Sequence, residues 1–234
     1  IAAGGAAPYL VAVHSLGEYS ALVAAGVIPF HDAVRLVRFR AQAMQEAVPV
    51  GQGGMAAILG LSDADVMEIC ATSAQNEVVE AVNFNAPAQV VIAGHKNAIA
   101  RACEAAKAKG AKRALPLAVS APFHSSLLKP ASDRLRDFMA DMVFFAPQIA
   151  VINNVDVVIE NNPLRIKDAL VRQAASPVRW VETVQKIAAE GVAQVVECGP
   201  GKVLAGLTKR INTDLNADAI VDQASLDRIL ELMK

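Results

Sequence analysis

The sequence predicts an α/β fold: a parallel-sheet domain interrupted by a small inserted βαββαβ unit. Three observations carry this. A strand-like apolar run from Tyr9 to Val13 turns through HSLG into an Ala/Leu-rich helical stretch that Gly26 stops. Short strands and helices alternate compactly between Gly53 and Val119. Beyond Ser120 the alternation resumes, so the same pattern flanks the insert on both sides.

After Gly26, Pro29 and Asp32 open a helix, FHDAVRLVRFRAQAMQEAV, with the acid where a helix N-terminus favours negative charge. Val34, Val37, Ala41, Met44 and Val48 recur at helical spacing as its expected buried stripe. On the helical wheel Arg35 and Arg38 lie outside the apolar arc. Arg40 lies inside it, flanked by Ala33, Leu36, Met44 and Ala47. An arginine keeps its charge when buried, so Arg40 needs a carboxylate or phosphate partner. Either a structural ion pair or a ligand meets that need.

PVGQGG then makes a flexible connection. MAAIL reads as a strand, Ser62 and Asp65 as the capping box of a helix through Ala71, and VVEAVNF and QVVIAG as two strands. A helix from Lys96 to Lys109 stops at Gly110, and RALPLAV returns as a strand. This order is the split βαβ pattern of a ferredoxin-like unit. SAPFHSSLLKPA is a loop leading into a helix, followed by a strand near Ile149 to Ile159 and two helices between Pro163 and Glu190. Strand VAQVVEC, a GPGK turn, a helix, strand AIV and a last helix complete the chain. The expected domains are residues 1–52 with 120–234, and the insert 53–119.

Composition narrows the function classes. Apolar residues make up 54% and charged residues 19%, as in an ordinary packed core. The 22 Lys and Arg interleave with 23 Asp and Glu for a net charge of −1, which advertises neither a nucleic-acid nor an anionic-membrane surface. No apolar run approaches the ~18 residues of a membrane span, and IAAGGAAPYLVAV lacks a basic signal-peptide region, so a cytoplasmic address is expected. Cys70, Cys103 and Cys198 show no ligand spacing; reduced, core-facing thiols and no metal site are expected.

The chemistry candidates begin at the bend. A serine on a sharp strand-to-helix turn is pushed out of the backbone, with the helix-opening amides aimed at what it attacks. The GxSxG elbow describes this, but here it reads Val13, His14, Ser15, Leu16, Gly17, without the first glycine. A plain Ser/Gly turn fits the same residues. Of four histidines, His14 neighbours Ser15 and points to the other side of a strand end, while His31 and His95 read as surface or cap residues. His124 sits in a Pro/Ser-rich loop where the insert rejoins the main sheet, either facing the elbow or as an ordinary loop residue. GPGK at Gly199 to Lys202 fails the P-loop pattern at Val196 and Val203, and GxGxxG at Leu204, so it reads as a turn. Asn83, Asn85 and Gln89 of NFNAPAQ are turn chemistry or face a cleft.

Together HSLGEYSALVAAGVI, RFRAQAMQEAVP, NFNAPAQVVIAG, APFHSSLLKPA and ECGPGKVLAGLTKRI resemble the bacterial malonyl-CoA:acyl carrier protein transacylases, five separated motifs in the family's order from Pro8 onward. The resemblance implies a hydrolase-like parallel-sheet domain and a set of roles. Ser15 is the acylated nucleophile, His124 its base, and the backbone carbonyl of Gln173 orients the imidazole. The Leu16 amide is an oxyanion donor, Arg40 holds the malonyl carboxylate, Phe123 resembles the malonyl-selecting form of its loop, and Asn85 contacts substrate. The implied substrate is malonyl-CoA and the implied partner acyl carrier protein, with no cofactor beyond the partner's phosphopantetheine; a monomer is expected. Lys202, Lys209 and Arg210 are candidates for a basic docking face.

Two departures are evident. The family's usual glycine is Val13, expected to crowd the elbow, so that Val13→Gly raises the acylation rate. The family's opening strand and GQGSQ-type loop, whose glutamine serves the oxyanion site there, have no counterpart in this sequence. A non-catalytic fragment that binds carrier protein is therefore one alternative. A serine esterase or patatin-like hydrolase is another, though it leaves Arg40 without a task.

Overall fold

The computed structural model describes residues 8–232. The chain begins with strand β1 (Leu10–Ala12), helix α1 (Gly17–Ala24) and helix α2 (Phe30–Glu46). The small unit follows as β2 (Gly53–Leu59), α3 (Asp63–Ala74), β3 (Val79–Ala86), β4 (Gln89–His95), α4 (Lys96–Ala108) and β5 (Arg113–Pro116). The chain then runs through a short 3-10 turn into α5 (Lys129–Met139), β6 (Ala150–Ile152), α6 (Pro163–Gln173) and α7 (Trp180–Ala189). It closes with β7 (Gln194–Cys198), α8 (Val203–Ile211), β8 (Asn216–Ile220) and α9 (Gln223–Leu232).

The fold is α/β, with its parallel strands in two pairs among the described residues. β1 lies beside β6 with Leu10 opposite Ala150, and β7 beside β8 with Gln194 opposite Asn216. The small unit instead forms one antiparallel sheet in the order β3-β4-β2-β5, which is the ferredoxin-like arrangement. Its outer face carries α3 and α4 over Ile58, Ile69, Ile92 and Ile99. Met55, Val82, Val91 and Ala93 on the opposite face meet Phe123. At Gly94 a Cβ would stand 2.0 Å from the Val78 carbonyl oxygen, so only glycine allows β4 to pass β3 this closely. Val178 stitches the sheet edge to the rest of the molecule, donating to the Val82 carbonyl and accepting from the Phe84 amide.

Several elements depart from expectation. The stripe of α2 is rotated: Val34 and Ala41 are exposed, and Ala33, Leu36, Arg40, Ala43 and Met44 are buried. Stacking of Phe39 on Phe138 of α5, 4.1 Å between centroids, fixes the face that turns inward. Helix α3 runs beyond Ala71 to Ala74 because Cys70 and Ser73 still face the core; the Ser62 hydroxyl caps it, accepting from the Asp65 amide at 3.1 Å. The long strand expected near Ile149 is only Ala150–Ile152. There the chain turns on Asn153, whose side chain accepts from the Asp156 amide, and Ile159 returns only as an isolated bridge to Ile152. Cys198 is exposed at the end of β7, whereas Cys70 and Cys103 are buried. His95 precedes α4 without a capping bond, and its Nδ1 accepts from the Val78 amide.

Candidate active site

Strand β1 ends at a sharp bend where Ser15 takes a left-handed backbone, φ 51°, before α1 begins. This conformation is uncommon for a side chain larger than hydrogen and lifts the hydroxyl out of the turn. His124 is left-handed too, φ 67°, in the loop ahead of α5. The wholly buried Ser125 anchors that loop by donating to the Pro122 carbonyl at 2.7 Å. The two bends face each other. Ser15 Oγ lies 2.7 Å from His124 Nε2, and His124 Nδ1 lies 3.0 Å from the Gln173 carbonyl oxygen at the end of α6.

The proton positions follow from the partners. A carbonyl only accepts, so His124 carries its hydrogen on Nδ1, leaving Nε2 to accept from Ser15. Arg40 agrees with this direction, because its Nη2 donates to Ser15 Oγ at 3.2 Å. Burial, and then the nearby Arg40 cation, hold the His124 imidazole down to about 4, so it is neutral at physiological pH.

Arg40 is 7% exposed, and it has no carboxylate within 4.0 Å among the described residues. Its Nη2 also donates to Gln173 Oε1 at 3.1 Å, its guanidinium lies 5.5 Å from the Tyr19 ring centroid, and its Nε lacks a partner. The structural ion pair is therefore absent, and an unneutralised cation faces the cavity. That cavity holds about 280 Å³, with Ser15, Arg40 and His124 beside Met44, Met55 and Phe123.

Asn83 also lines the cavity; Asn85 does not, and its Oδ1 instead accepts from His14 Nε2 at 2.9 Å. His14 is turned from the Ser15 hydroxyl and packs edge-on to Trp180, and burial lowers its pKa. The Leu16 amide opening α1 donates to no acceptor among the described residues. Val13 is 2% exposed within the core and has none of the left-handed strain, which falls on Ser15. The side chain of Val13 is part of the large apolar core, and the left-handed conformation of the bend falls two residues later. Lys202, Lys209 and Arg210 are exposed on or before α8, with Arg210 donating to Gln89 at 2.6 Å.

The chain spans about three quarters of the length of the relatives it matches. The Acyl transferase domain model matches residues 1–226. The chain is 58% identical over 227 residues to the malonyl CoA-acyl carrier protein transacylase of Salmonella typhimurium, covering 97% of this chain and 74% of the relative. It is 44% identical over 232 residues to the Bacillus subtilis protein of that name, covering 98% and 73%. The chain belongs to the malonyl CoA-acyl carrier protein transacylase family. The crystal structure of an acyl-carrier-protein S-malonyltransferase from Burkholderia pseudomallei matches this transacylase with TM-score 0.96 and 68% identity over 98% of this chain and 75% of that one. A malonyl-transacylase in complex with a type II PKS acyl-carrier protein matches with TM-score 0.97 and 56% identity, over 98% and 74%.

Two buried polar residues of the transacylase site were missed from its sequence. Glu18 of α1 is 1% exposed; its Oε2 accepts from Gln173 Nε2 at 2.7 Å and from the Asn154 amide at 3.2 Å. Burial pushes this carboxyl up to about 7, against the hydrogen bonds from Gln173 and Asn154 and the Arg40 charge. Asn154 is fully buried and contacts the elbow. Glu18 carried a signal, an acid inside an apolar helix, of the kind that singled out Arg40. Asn154 carried none, because asparagine after a short strand is ordinary turn chemistry. Among the described residues no cluster of three or more His, Cys, Asp and Glu could hold a metal, and no helix is long and apolar enough to cross a membrane.

Proposed function

We propose that the protein transfers the malonyl group of malonyl-CoA to the phosphopantetheine thiol of acyl carrier protein, through a malonyl-serine on Ser15, in fatty acid synthesis in the cytoplasm. The observation that carries this is Arg40, a buried cation without a carboxylate, whose Nη2 stands 3.2 Å from Ser15 Oγ. A dicarboxylic monothioester supplies the missing anion and places its thioester carbon at the nucleophile. The Salmonella typhimurium and Bacillus subtilis relatives are malonyl CoA-acyl carrier protein transacylases, which supports that reading.

In the proposed reaction, Ser15 attacks the thioester carbonyl while its proton passes to His124 Nε2. The Gln173 carbonyl stabilises the imidazolium through Nδ1–H, and the Leu16 amide receives the developing oxyanion. As the intermediate collapses, the C–S bond breaks and His124 returns its proton to the coenzyme A thiolate. The carrier-protein thiol then gives its proton to His124 and attacks the malonyl ester, and the same steps in reverse restore Ser15. No step calls on a metal or cofactor of the protein itself. Ping-pong kinetics follow.

Intact-protein mass spectrometry after brief exposure to malonyl-CoA tests this. One malonyl group should appear on the wild-type chain and be absent from Ser15→Ala. A folded wild-type chain that gains no mass would favour the non-catalytic carrier-protein binder. Equal turnover of malonyl and neutral esters with water as acceptor would favour the hydrolase.

A further inference from the structure

The bend at Ser15 is held from outside its own turn. Asn154, two residues beyond β6, reaches across with both ends of its side-chain amide. Its Oδ1 accepts the Ser15 backbone N–H at 2.5 Å, and its Nδ2 donates to the Val13 carbonyl at 2.5 Å. The backbone leading into the left-handed residue is thus held at two points, and Asn154 is 0% exposed. Asn154 is fixed in turn, its backbone N–H donating to Glu18 Oε2. The same Glu18 oxygen accepts from Gln173 Nε2, which also donates to the Ser15 carbonyl at 2.9 Å.

We propose that Asn154 is a positioning residue for the nucleophile: its amide clamps the elbow backbone in the bend that presents Ser15 Oγ to His124, and Glu18 ties this clamp to the residue that orients His124. Both ends of the amide are required. One must accept from Ser15 and the other must donate to Val13, and an amide does both without charge. Occupation of the Ser15 N–H by Asn154 also leaves the neighbouring Leu16 N–H as the open donor at the bend. Asn154 itself does not touch the reacting atoms. It sets where they stand, and a displacement of about 1 Å at such a site costs about 10²-fold in rate.

The inference rests on Ser15 being the activated nucleophile. The test is therefore the rate at which a neutral fluorophosphonate labels Ser15 in the full chain, a reaction that needs the elbow and base but not malonyl recognition. Asn154→Ala should label about 10²-fold more slowly per folded molecule, with folding checked by circular dichroism. Asn154→Asp gives a readout that lost packing would not. When protonated, Asp donates to the Val13 carbonyl and still accepts from Ser15; when ionised, it sets a carboxylate oxygen against that carbonyl. The charged or titratable neighbours are Glu18 of α1, Arg40 of α2, His14, His124, Asp156 and Arg179, which donates to the adjacent Val155 carbonyl. Burial and the acids Glu18 and Asp156 favour the protonated form, and Arg40 and Arg179 oppose it. From about pH 5 to about pH 8 labelling of Asn154→Asp should fall as pH rises, whereas wild type should not fall. Wild-type rates in folded Asn154→Ala, or an Asn154→Asp profile parallel to wild type, would overturn the clamp. Absence of labelling in the wild-type chain would overturn the nucleophile reading beneath it, whereas labelling without malonyl transfer would leave the clamp supported and remove only the proposed substrate.

Discussion

The small antiparallel sheet and the parallel-strand region around it solve different problems. The small sheet is regular: four paired strands, two covering helices and its own apolar core. The surrounding region has short strands and left-handed non-glycine backbone at Ser15, His124 and Val157, and it supplies Ser15, Arg40, His124 and Gln173 to the site. To the cavity the sheet offers only wall residues, Met55 and Asn83. Left-handed non-glycine backbone survives only where surrounding contacts over-determine it. The large core and the Glu18, Asn154 and Gln173 network provide those contacts for Ser15 and His124, whereas the left-handed Gln75 and Ala88 of the small unit sit at the end of α3 and in the β3–β4 turn, outside the cavity lining.

Substitutions that separate chemistry from wall test this division. Arg40→Ala should cost the most, about 10²-fold in kcat/KM for malonyl-CoA, the scale of about 3 kcal/mol for hydrogen bonds to a charged group. Labelling of Ser15 by a neutral phosphonate should survive. Equal loss with both reagents would mean that Arg40 serves the nucleophile as much as the substrate.

Gly94→Ala strikes the sheet instead. A methyl group 2.0 Å from the Val78 oxygen must push β3 from β4, at about 3 kcal/mol of stability. The dyad contacts none of these residues, so labelling per folded molecule should hold while KM for malonyl-CoA rises as Met55 and Asn83 shift. Urea unfolding together with both assays would check this, and a matching fall in labelling would deny the two regions their separate roles.

Val13→Gly belongs to the strained region but bears on its core. It should cost about 2 kcal/mol through lost apolar burial and added backbone entropy. No gain in acylation rate is expected, because Val13 sits at 2% exposure in apolar packing and the strained φ is at Ser15. A faster variant would restore crowding at the elbow as the explanation.

What could be read from the sequence follows the same line. The small unit was legible because its strands, its Ser62 cap and its glycine stop at Gly110 are local signals. Arg40 stood out because a charge inside an apolar arc conflicts with its surroundings. On α2 the arc of Ala33, Leu36 and Met44 around Arg40 is the face found buried, whereas Val34 and Ala41, as apolar as their neighbours, are exposed because packing against α5 chooses between them. The brevity of β6 depended on Asn153 accepting from Asp156, and the placement of Asn154 on contacts more than a hundred residues away in sequence. Pairings of that range leave no periodicity to read.

The smallest effect expected is invisible at neutral pH and tests how the two charged elements of the site communicate. His124 lies at about 4 because of burial first and the Arg40 cation second. Protonated His124 cannot accept from Ser15, so labelling of the free protein should fall only as pH drops towards 4. Removing the cation removes the second of three lowering causes, after burial and ahead of His14. In Arg40→Ala the acid limb of the labelling profile should therefore move to higher pH, with little change near pH 7, where His124 is neutral in either case. A bound malonyl carboxylate neutralises Arg40 in the same sense, so the acid limb of kcat should lie above that of kcat/KM. Coincident limbs, together with an unmoved limb in Arg40→Ala, would mean that burial and His14 set the base without the cation. Arg40 would then act on the substrate without tuning the histidine that activates its attacker.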